Sequence, residues 1–236
     1  MSKKNPEPTH SNKNNLQVLH EDNHLLVVNK RAGDLVQGDS TGDKPLSEIL
    51  KSYIAEKYNK PGAVYLGVVH RLDRPTSGVV AFARTSKALT RLNKLFAERK
   101  TKKTYWAVVK NCPPQTSEKL VHFLKRNPKQ NKSYAHTNEV PDSKRAVLSY
   151  TIIKKLDNYY VLEIELETGR HHQIRSQLAA IGCPIKGDLK YGFDRSNKDG
   201  SIHLHARQLT FMHPVVKEEI TIIAPLPKDP IWDACL

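Results

Sequence analysis

The stretch HRLDRPTSG occupies residues 70–78 and lies between two apolar runs of the chain. Its Asp73 is flanked by Arg71 and Arg74, and adjacent positive charge favours the ionised form of a carboxylate. An ionised carboxylate held in a loop is suited to act as a nucleophile. An arbitrary Arg-x-Asp sequence more often forms a structural ion pair, so this stretch needs support from the rest of the chain.

The two neighbouring runs predict buried strands, because residues 64–69 and 79–83 are apolar and rich in β-branched side chains. Asp73 is therefore expected in a loop between two core elements. Further strands are expected at 16–20, 24–29, 103–109, 120–124, 146–154, 159–166, 203–211 and 219–223.

Apolar residues at helical spacing predict three helices. The first follows Pro45, the second spans 87–98 with Ser86 as its N-terminal cap, and the third spans 173–181. Consecutive strands joined by short polar turns favour antiparallel pairing. The pattern predicts an α+β fold with a mainly antiparallel mixed central sheet flanked by helices, and not a doubly wound parallel sheet.

The chain of 236 residues is expected to consist of a tail and one folded domain. Residues 1–15 are rich in Asn and Lys and carry almost no apolar side chains, so they predict a disordered basic tail. Residues 16–236 are enough to bury a substantial core and are expected to form a single domain.

The overall composition is basic, with a net charge of +14 and a pI of about 9.6. A basic excess spread over a domain is typical of proteins that neutralise phosphates, although charge alone does not identify the polymer. No apolar run approaches the roughly 20 residues of a membrane-spanning helix, and no apolar segment follows the N-terminal lysines. We therefore expect a cytoplasmic protein.

The three cysteines, Cys112, Cys183 and Cys235, are far apart in the sequence. Their odd number and wide spacing predict neither a disulfide framework nor a zinc ribbon.

Two further segments carry residues suited to chemistry or to RNA binding. In KTYWA, residues 103–107, strand alternation places Lys103 and Tyr105 on the same face, and a tyrosine ring can stack on a base or take part in proton transfer. In GRHHQIR, residues 169–175, a glycine turn is followed at once by a basic helix start. Positive charge at a helix N-terminus is unfavourable unless something negative lies there.

The histidines and glutamates of the chain raise two other kinds of site, a metal site and a glycosidase-like site. His203 and His205 share a strand face, but no cysteine or carboxylate stands beside them at ligand spacing, so no metal site is expected. The alternating Glu163, Glu165 and Glu167 could pair with Asp73 as in a glycosidase, but a solvated strand face is the simpler interpretation.

Taken together, the motifs resemble those of the RNA pseudouridine synthases of the RluA family. The resemblance is carried by HRLDRPTSG at 70–78, KTYWA at 103–107, GRHHQIR at 169–175 and PIKGD at 184–188, in this order. The segment LVVNKRAG at 26–33 also resembles the family's opening strand and turn, except that Arg31 stands where the family usually has proline.

The resemblance implies a single pseudouridine-synthase-like catalytic domain over 16–236, with an RNA-binding cleft. Many members carry an N-terminal S4-type module, but residues 1–15 are too few for one, so none is expected. It implies isomerisation of uridine in structured RNA by base flipping, without metal, nucleotide or other cofactor. Asp73 would be the nucleophile, Tyr105 the ring stacked on the uracil and the proton acceptor at C5, and Arg175 the partner of Asp73. Arg71 would fill the space of the flipped base. The other residues expected at the RNA are Arg74, Arg170, His171 and Lys103.

Several alternatives stay open at this point. The substrate is expected to be ribosomal RNA, with transfer RNA as the alternative. A non-catalytic RNA-binding or assembly factor and an N-glycosidase that releases uracil are rivals from other classes. The protein is expected to act as a monomer without an obligate protein partner. Attack of Asp73 at C1′, attack at C6 and an elimination pathway are equally compatible with the residues.

Overall fold

The computed structural model describes residues 10–39 and 41–236. In this part of the chain there are eleven strands and four α-helices. The strands are β1 (Val18–Glu21), β2 (Leu25–Lys30), β3 (Gly67–Val68), β4 (Ser77–Ala83), β5 (Thr101–Val109), β6 (Ser117–Asn127), β7 (Lys132–His136), β8 (Lys144–Lys155), β9 (Tyr160–Leu166), β10 (Leu204–Met212) and β11 (Glu219–Ile223). The helices are α1 (Leu46–Lys57), α2 (Ser86–Ala97), α3 (Gln173–Ala180) and α4 (Pro230–Asp233).

All of these strands belong to one sheet. Its main path runs in the order β1-β2-β4-β10-β5-β9-β8-β6-β7, with β3 beside β4 and β11 beside β10. Only β4 and β10 are parallel, and every other recorded pair is antiparallel. The predicted α+β class with a mainly antiparallel mixed sheet is confirmed.

Strand alternation divides the core between the two faces of the sheet. In β2, Leu26 packs in the cluster that contains α1, whereas Leu25 packs in the cluster that contains α2. In β5, Tyr105 faces the cluster that contains α3, whereas Val108 faces the cluster of the C-terminal α4. Helices thus flank the sheet, as the sequence pattern predicts.

Three local features differ from the sequence-based expectations. Instead of a strand over 64–69 there is only the two-residue β3, where a side chain at Gly67 would collide with Leu89 of α2. The cap of α2 is Thr85 and not Ser86, because Thr85 is extended and its side chain accepts a hydrogen bond from the Ala88 N–H. β7 and α4 were not expected, since neither has an apolar periodicity of its own.

The predicted tail over 1–15 falls mainly on residues 1–9, which lie outside the described residues. Residues 10–15 are described and contact the domain: the Ser11 N–H donates to Asp34 Oδ1 at 2.9 Å, and Lys13 forms an ion pair with Glu56 at 2.7 Å. The division into a tail and a domain beginning at residue 16 stays a prediction.

Over the described ranges, no helix is both long and apolar enough to cross a bilayer. The three cysteines are unpaired, with Cys112 exposed and Cys183 and Cys235 buried.

Candidate active site

The loop that carries Asp73 connects β3 to β4 and is held through its backbone. The Thr76 N–H donates to the Asp73 carbonyl at 3.0 Å, which closes a turn. The carbonyl of Arg74 accepts from the Gly33 N–H at 2.8 Å, and that of Pro75 accepts from the Ile202 N–H at 3.1 Å. Three separate chain segments therefore fix where Asp73 stands.

Lys30, at the end of β2, adds a buried ammonium group beneath this loop. Its Nζ donates to the carbonyls of Arg31, Arg74 and Thr76 at 2.8, 3.1 and 2.7 Å, and the residue is 1 % exposed. Burial lowers the pKa of Lys30 to about 7, while the charges of Asp34 and Asp73 act in the opposite direction. Lys30 thus ties the turn that follows β2 to two carbonyls of the Asp73 loop.

The Asp73 loop ends at Gly78, where both the backbone conformation and the available space require glycine. Its φ of 118° lies in the left-handed region, and a Cβ there would overlap the backbone of Ala206. β4 and β10 pair at this point, His205 opposite Ser77 and Ala206 opposite Gly78. A side chain at 78 would push the two parallel strands apart and displace the loop.

Arg175, in the first turn of α3, connects Asp73 to a second carboxylate. Its Nη1 donates to Asp73 Oδ2 at 3.2 Å, while Nε and Nη2 donate to the two oxygens of Asp188 at 2.7 and 2.8 Å. Burial opposes the charged form of Arg175, but the hydrogen bonds and charge of Asp188 outweigh it and raise the pKa of the guanidinium. Two carboxylates thus neutralise the basic residue at this helix start.

Two stacked histidines follow the glycine turn on the other side of Asp73. The rings of His171 and His172 lie 3.8 Å apart, and His172 Nε2 is 3.6 Å from Asp73 Oδ2. His171 is held by Ser133 Oγ at 2.9 Å and by Asn131 Oδ1 at 3.1 Å, both from the end of the β6–β7 hairpin.

Tyr105 stands on β5 and packs against the core cluster that contains α3. The residue is 9 % exposed and lines the same cleft as Asp73. Burial raises the pKa of Tyr105, and the negative charge of Asp73 raises it further. The hydroxyl is therefore protonated at neutral pH.

The cleft has a volume of about 1170 Å³ and is rich in basic side chains. It brings together Asp73, Tyr105, Arg175, Arg71, Lys103, Arg170 and His171 from the sequence-based expectations. Lys103 lies 4.7 Å from the centre of the Phe96 ring, and burial lowers its pKa. Arg71 is exposed, and no hydrogen bond or ion pair occupies it within the residues described. This opening is large enough for a nucleotide and its neighbours.

Arg74 is the one expected RNA contact that does not line this cleft. Its guanidinium pairs with Asp43 at 2.7 Å, on the wall of a smaller cavity of about 410 Å³. The turn closed between Asp73 and Thr76 redirects the chain, so that Asp73 and Arg74 point to different sides. Arg74 thus lies outside the cleft, and its contact with RNA stays a prediction.

The histidines considered for a metal site are engaged in hydrogen bonds. His203 bonds to Asp229 at 3.0 Å, and His205 bonds to Ser77 at 2.8 Å. These hydrogen bonds hold His205 within β10 and His203 directly before it.

Within the described residues, one cluster brings possible metal-ligand atoms within 4.8 Å of one another. It consists of His20, Asp22 and His213. His213 Nδ1 accepts from the N–H groups of Val215 and Val216, which assigns the proton to Nε2, and this nitrogen lies 3.0 Å from Asp22 Oδ2. A ring nitrogen that donates a hydrogen bond does not ligate a metal, so the geometry fits a hydrogen-bonded cluster.

The three glutamates that could resemble glycosidase carboxylates each have a hydrogen-bond or ion-pair partner. Glu163 accepts from Trp106 Nε1 at 3.2 Å, Glu165 pairs with Lys102 at 3.0 Å, and Glu167 pairs with Lys119 at 2.5 Å. Partly exposed glutamates with partners of this kind agree with the interpretation as a solvated strand face.

Sequence reasoning did not single out four residues that build this site: Lys30, Asp188, His172 and Arg126, the last of which lines the cleft from β6. Asp188 lay within the PIKGD motif but received no role. A buried lysine and a single acidic residue in a turn have no periodicity that would reveal them.

Comparison with known protein families gives one matching model, described as RNA pseudouridylate synthase, over residues 24–180. Ribosomal large subunit pseudouridine synthase C of Buchnera aphidicola subsp. Baizongia pistaciae is 35% identical over 220 residues, which cover 90% of this chain and 67% of the Buchnera protein. tRNA pseudouridine synthase C of Vibrio cholerae serotype O1 is 30% identical in a match that covers 94% of each protein.

Among solved structures, human RNA Pseudouridylate Synthase Domain Containing 4 superimposes with a TM-score of 0.76 and 24% identity. The match covers 93% of this chain and 92% of the human chain, so the two share a fold over nearly their whole length.

Proposed function

This chain belongs to the RNA pseudouridylate synthase family, and we propose that it isomerises uridine to pseudouridine in structured RNA with Asp73 as the nucleophile. The observation that carries the proposal is the position of Asp73. Its Oδ2 is held at 3.2 Å by a buried arginine, and Asp73 lines a basic cleft that Tyr105 also lines.

Binding of the substrate requires the target nucleotide to leave its helix, because a stacked base is out of reach of Asp73. The basic side chains of the cleft attract the phosphates on either side, and the Tyr105 ring offers a face on which the uracil stacks. Arg71, exposed and without a partner in the described chain, is suited to occupy the space that the base vacates.

The reaction exchanges one bond of the base for another. The C1′–N1 bond breaks, the uracil turns within the cleft, and a C1′–C5 bond forms while the C5 proton is lost and N1 gains a proton. Arg175 keeps Asp73 oriented for its part in the first step, whether Asp73 adds to the sugar, adds to the ring or promotes elimination.

Tyr105 is proposed as the group that removes the C5 proton. Burial and the charge of Asp73 keep its hydroxyl protonated in the resting site, so Tyr105 can accept that proton only while passing its own proton on. Asp73, once released from the nucleotide, is a nearby carboxylate that can receive it.

The proposed substrate is ribosomal RNA, since the Buchnera relative that acts on the large ribosomal subunit is the more similar in sequence. A transfer RNA is the second candidate, because the Vibrio tRNA enzyme matches this chain over 94% of both lengths, whereas the Buchnera protein is longer. We further propose that the enzyme acts in the cytoplasm as a monomer without an obligate protein partner.

The test is to map pseudouridines in total RNA from cells with and without the protein, and with the Asp73→Asn variant. Loss of defined pseudouridines from ribosomal RNA in both altered strains is expected, while loss from transfer RNA would select the second candidate. A binding-only protein would leave every pseudouridine in place. An N-glycosidase would release free uracil from RNA in vitro without a C-glycoside product.

A further inference from the structure

His172 connects the carboxylate of Asp73 to a tyrosine behind the cleft wall. Its Nε2 lies 3.6 Å from Asp73 Oδ2, and its Nδ1 lies 3.0 Å from Tyr191 Oη. The His172 side chain is only 6 % exposed, and its backbone has a positive φ of 52° immediately before α3. A non-glycine residue in this conformation is held there by its surroundings.

The surroundings also determine which ring nitrogen carries the proton. Tyr191 Oη accepts a hydrogen bond from the Ser133 N–H at 2.9 Å, and in the described chain its own proton has only His172 Nδ1 as an acceptor. Nδ1 therefore accepts, and the proton of the neutral ring is on Nε2, facing the carboxylate. Burial and the nearby charge of Arg175 lower the pKa of His172 to about 2, so the ring stays neutral.

Two donors thus converge on one oxygen of Asp73. Arg175 Nη1 and His172 Nε2 both approach Oδ2, whereas Oδ1 has no hydrogen bond to any residue that the structure describes. The two oxygens of the carboxylate are therefore not equivalent: one is held and the other is free at the cleft.

We propose that His172 is a positioning residue for the isomerisation, which as a neutral Nε2–H donor holds Oδ2 together with Arg175 and leaves Oδ1 to react with the nucleotide. The inference rests on the proposed function of Asp73. The gap of 3.6 Å is slightly longer than a hydrogen bond, and such contacts commonly tighten when substrate closes the site.

The support for His172 comes from a separate part of the sheet. β7 supplies the Ser133 N–H to Tyr191 and the Ser133 hydroxyl to His171, which stacks on His172. A ring held by stacking on one side and by a hydrogen-bonded phenol on the other has little freedom to turn, so its Nε2 is directed at Asp73.

Single-turnover and steady-state kinetics on an RNA that the wild type modifies test this role. His172→Ala is expected to lower kcat by about 10- to 100-fold, as for loss of one hydrogen bond to a charged group, with KM for RNA changed less than about threefold. His172→Gln should recover most of kcat, because its amide N–H can take the place of the Nε2–H. Tyr191→Phe, which keeps the ring but removes the proton that selects the tautomer, should lower kcat without a change in KM.

His203→Gln is the matched control, because His203 is also a buried histidine bonded to a carboxylate but lies outside the cleft. It is expected to lower the melting temperature while kcat stays near wild type. Wild-type kcat in His172→Ala overturns the proposal, as does a His172→Gln variant no better than alanine. If His172→Ala does not fold, unchanged kcat in Tyr191→Phe overturns it. Asp73→Asn separates the two hypotheses: activity retained in that variant refutes the proposed function itself.

Discussion

Arg175 and Asp188 form a bidentate ion pair in which both residues are almost fully buried, 5 and 1 % exposed. The pair uses one edge of the guanidinium, Nε and Nη2, and leaves Nη1 for Asp73. Asp188 therefore sets the plane of the group that orients the proposed nucleophile, without contacting the cleft itself.

The Asp188→Asn variant is expected to be both less stable and less active. Removing one partner of a buried pair costs about 3–5 kcal/mol of unfolding free energy, and a misplaced guanidinium lowers the isomerisation rate by about 100-fold. Urea denaturation and pseudouridine formation measure the two effects. Glu48→Gln, in the exposed Lys51–Glu48 pair, is the control and should change stability by less than about 0.5 kcal/mol. Equal effects of the two substitutions would contradict the assignment.

Tyr105→Phe separates stacking from proton transfer. The phenylalanine ring keeps the stacking face, so affinity for RNA should stay near that of the wild type. The rate should fall by about 100- to 10,000-fold, because phenylalanine has no hydroxyl to accept the proton. Tyr105→Leu loses the aromatic face as well, which should weaken binding by about 1–3 kcal/mol. Filter binding and single-turnover assays distinguish the two variants, and a fully active Tyr105→Phe would rule out the proposed proton role.

Sequence periodicity predicts which side chains share a face of a strand, but it does not predict contacts between distant segments. Alternation in KTYWA predicts which of its residues share a face, and the structure packs Tyr105 with α3 and Trp106 with the cluster on the opposite face. The pairing of Asp73 with Arg175, 102 residues later, was expected only from the family resemblance, because it depends on how the β4 loop and α3 meet across the sheet.

Other placements have local causes that periodicity does not reveal. Arg74 follows Asp73 directly, but in the turn closed by the Thr76 N–H its guanidinium pairs with Asp43, outside the cleft. A lysine is expected at the surface on sequence grounds alone. Lys30 is buried because three carbonyls from two loops accept hydrogen bonds from its ammonium group.

The two arginines that flank Asp73 should differ in their effect on RNA. Arg71→Ala is expected to lower kcat/KM by about 10-fold or more and, if Arg71 contacts a phosphate, to reduce the salt slope of binding by about 1. Arg74→Ala, which removes a partly exposed pair with Asp43 outside the cleft, should change kcat/KM by less than about threefold. Binding isotherms between low and physiological salt provide the comparison, and equal losses in the two variants would place Arg74 at the RNA after all.

Stability should fall in mild acid, in part through His205. The residue is 0 % exposed, its Nδ1 bonds to Ser77 at 2.8 Å beside the Asp73 loop, and burial lowers its pKa to about 4. The unfolded chain takes up a proton at this histidine near pH 6.5, whereas the folded chain resists it until about pH 4. The contribution is therefore complete above pH 6.5 and is lost at about 1.4 kcal/mol per pH unit as the pH falls toward 4.

The His205→Gln variant isolates that contribution. It should be less stable than the wild type at pH 7, because a packed and hydrogen-bonded side chain is replaced. Below pH 6.5, however, its unfolding free energy should fall less steeply than that of the wild type, by about one proton, so the two curves converge toward pH 4. Urea titrations at half-unit intervals between pH 4 and 8 measure both slopes. Parallel curves over this range would mean that His205 takes up its proton equally in the folded and unfolded chains, and that acid sensitivity arises from the other buried histidines.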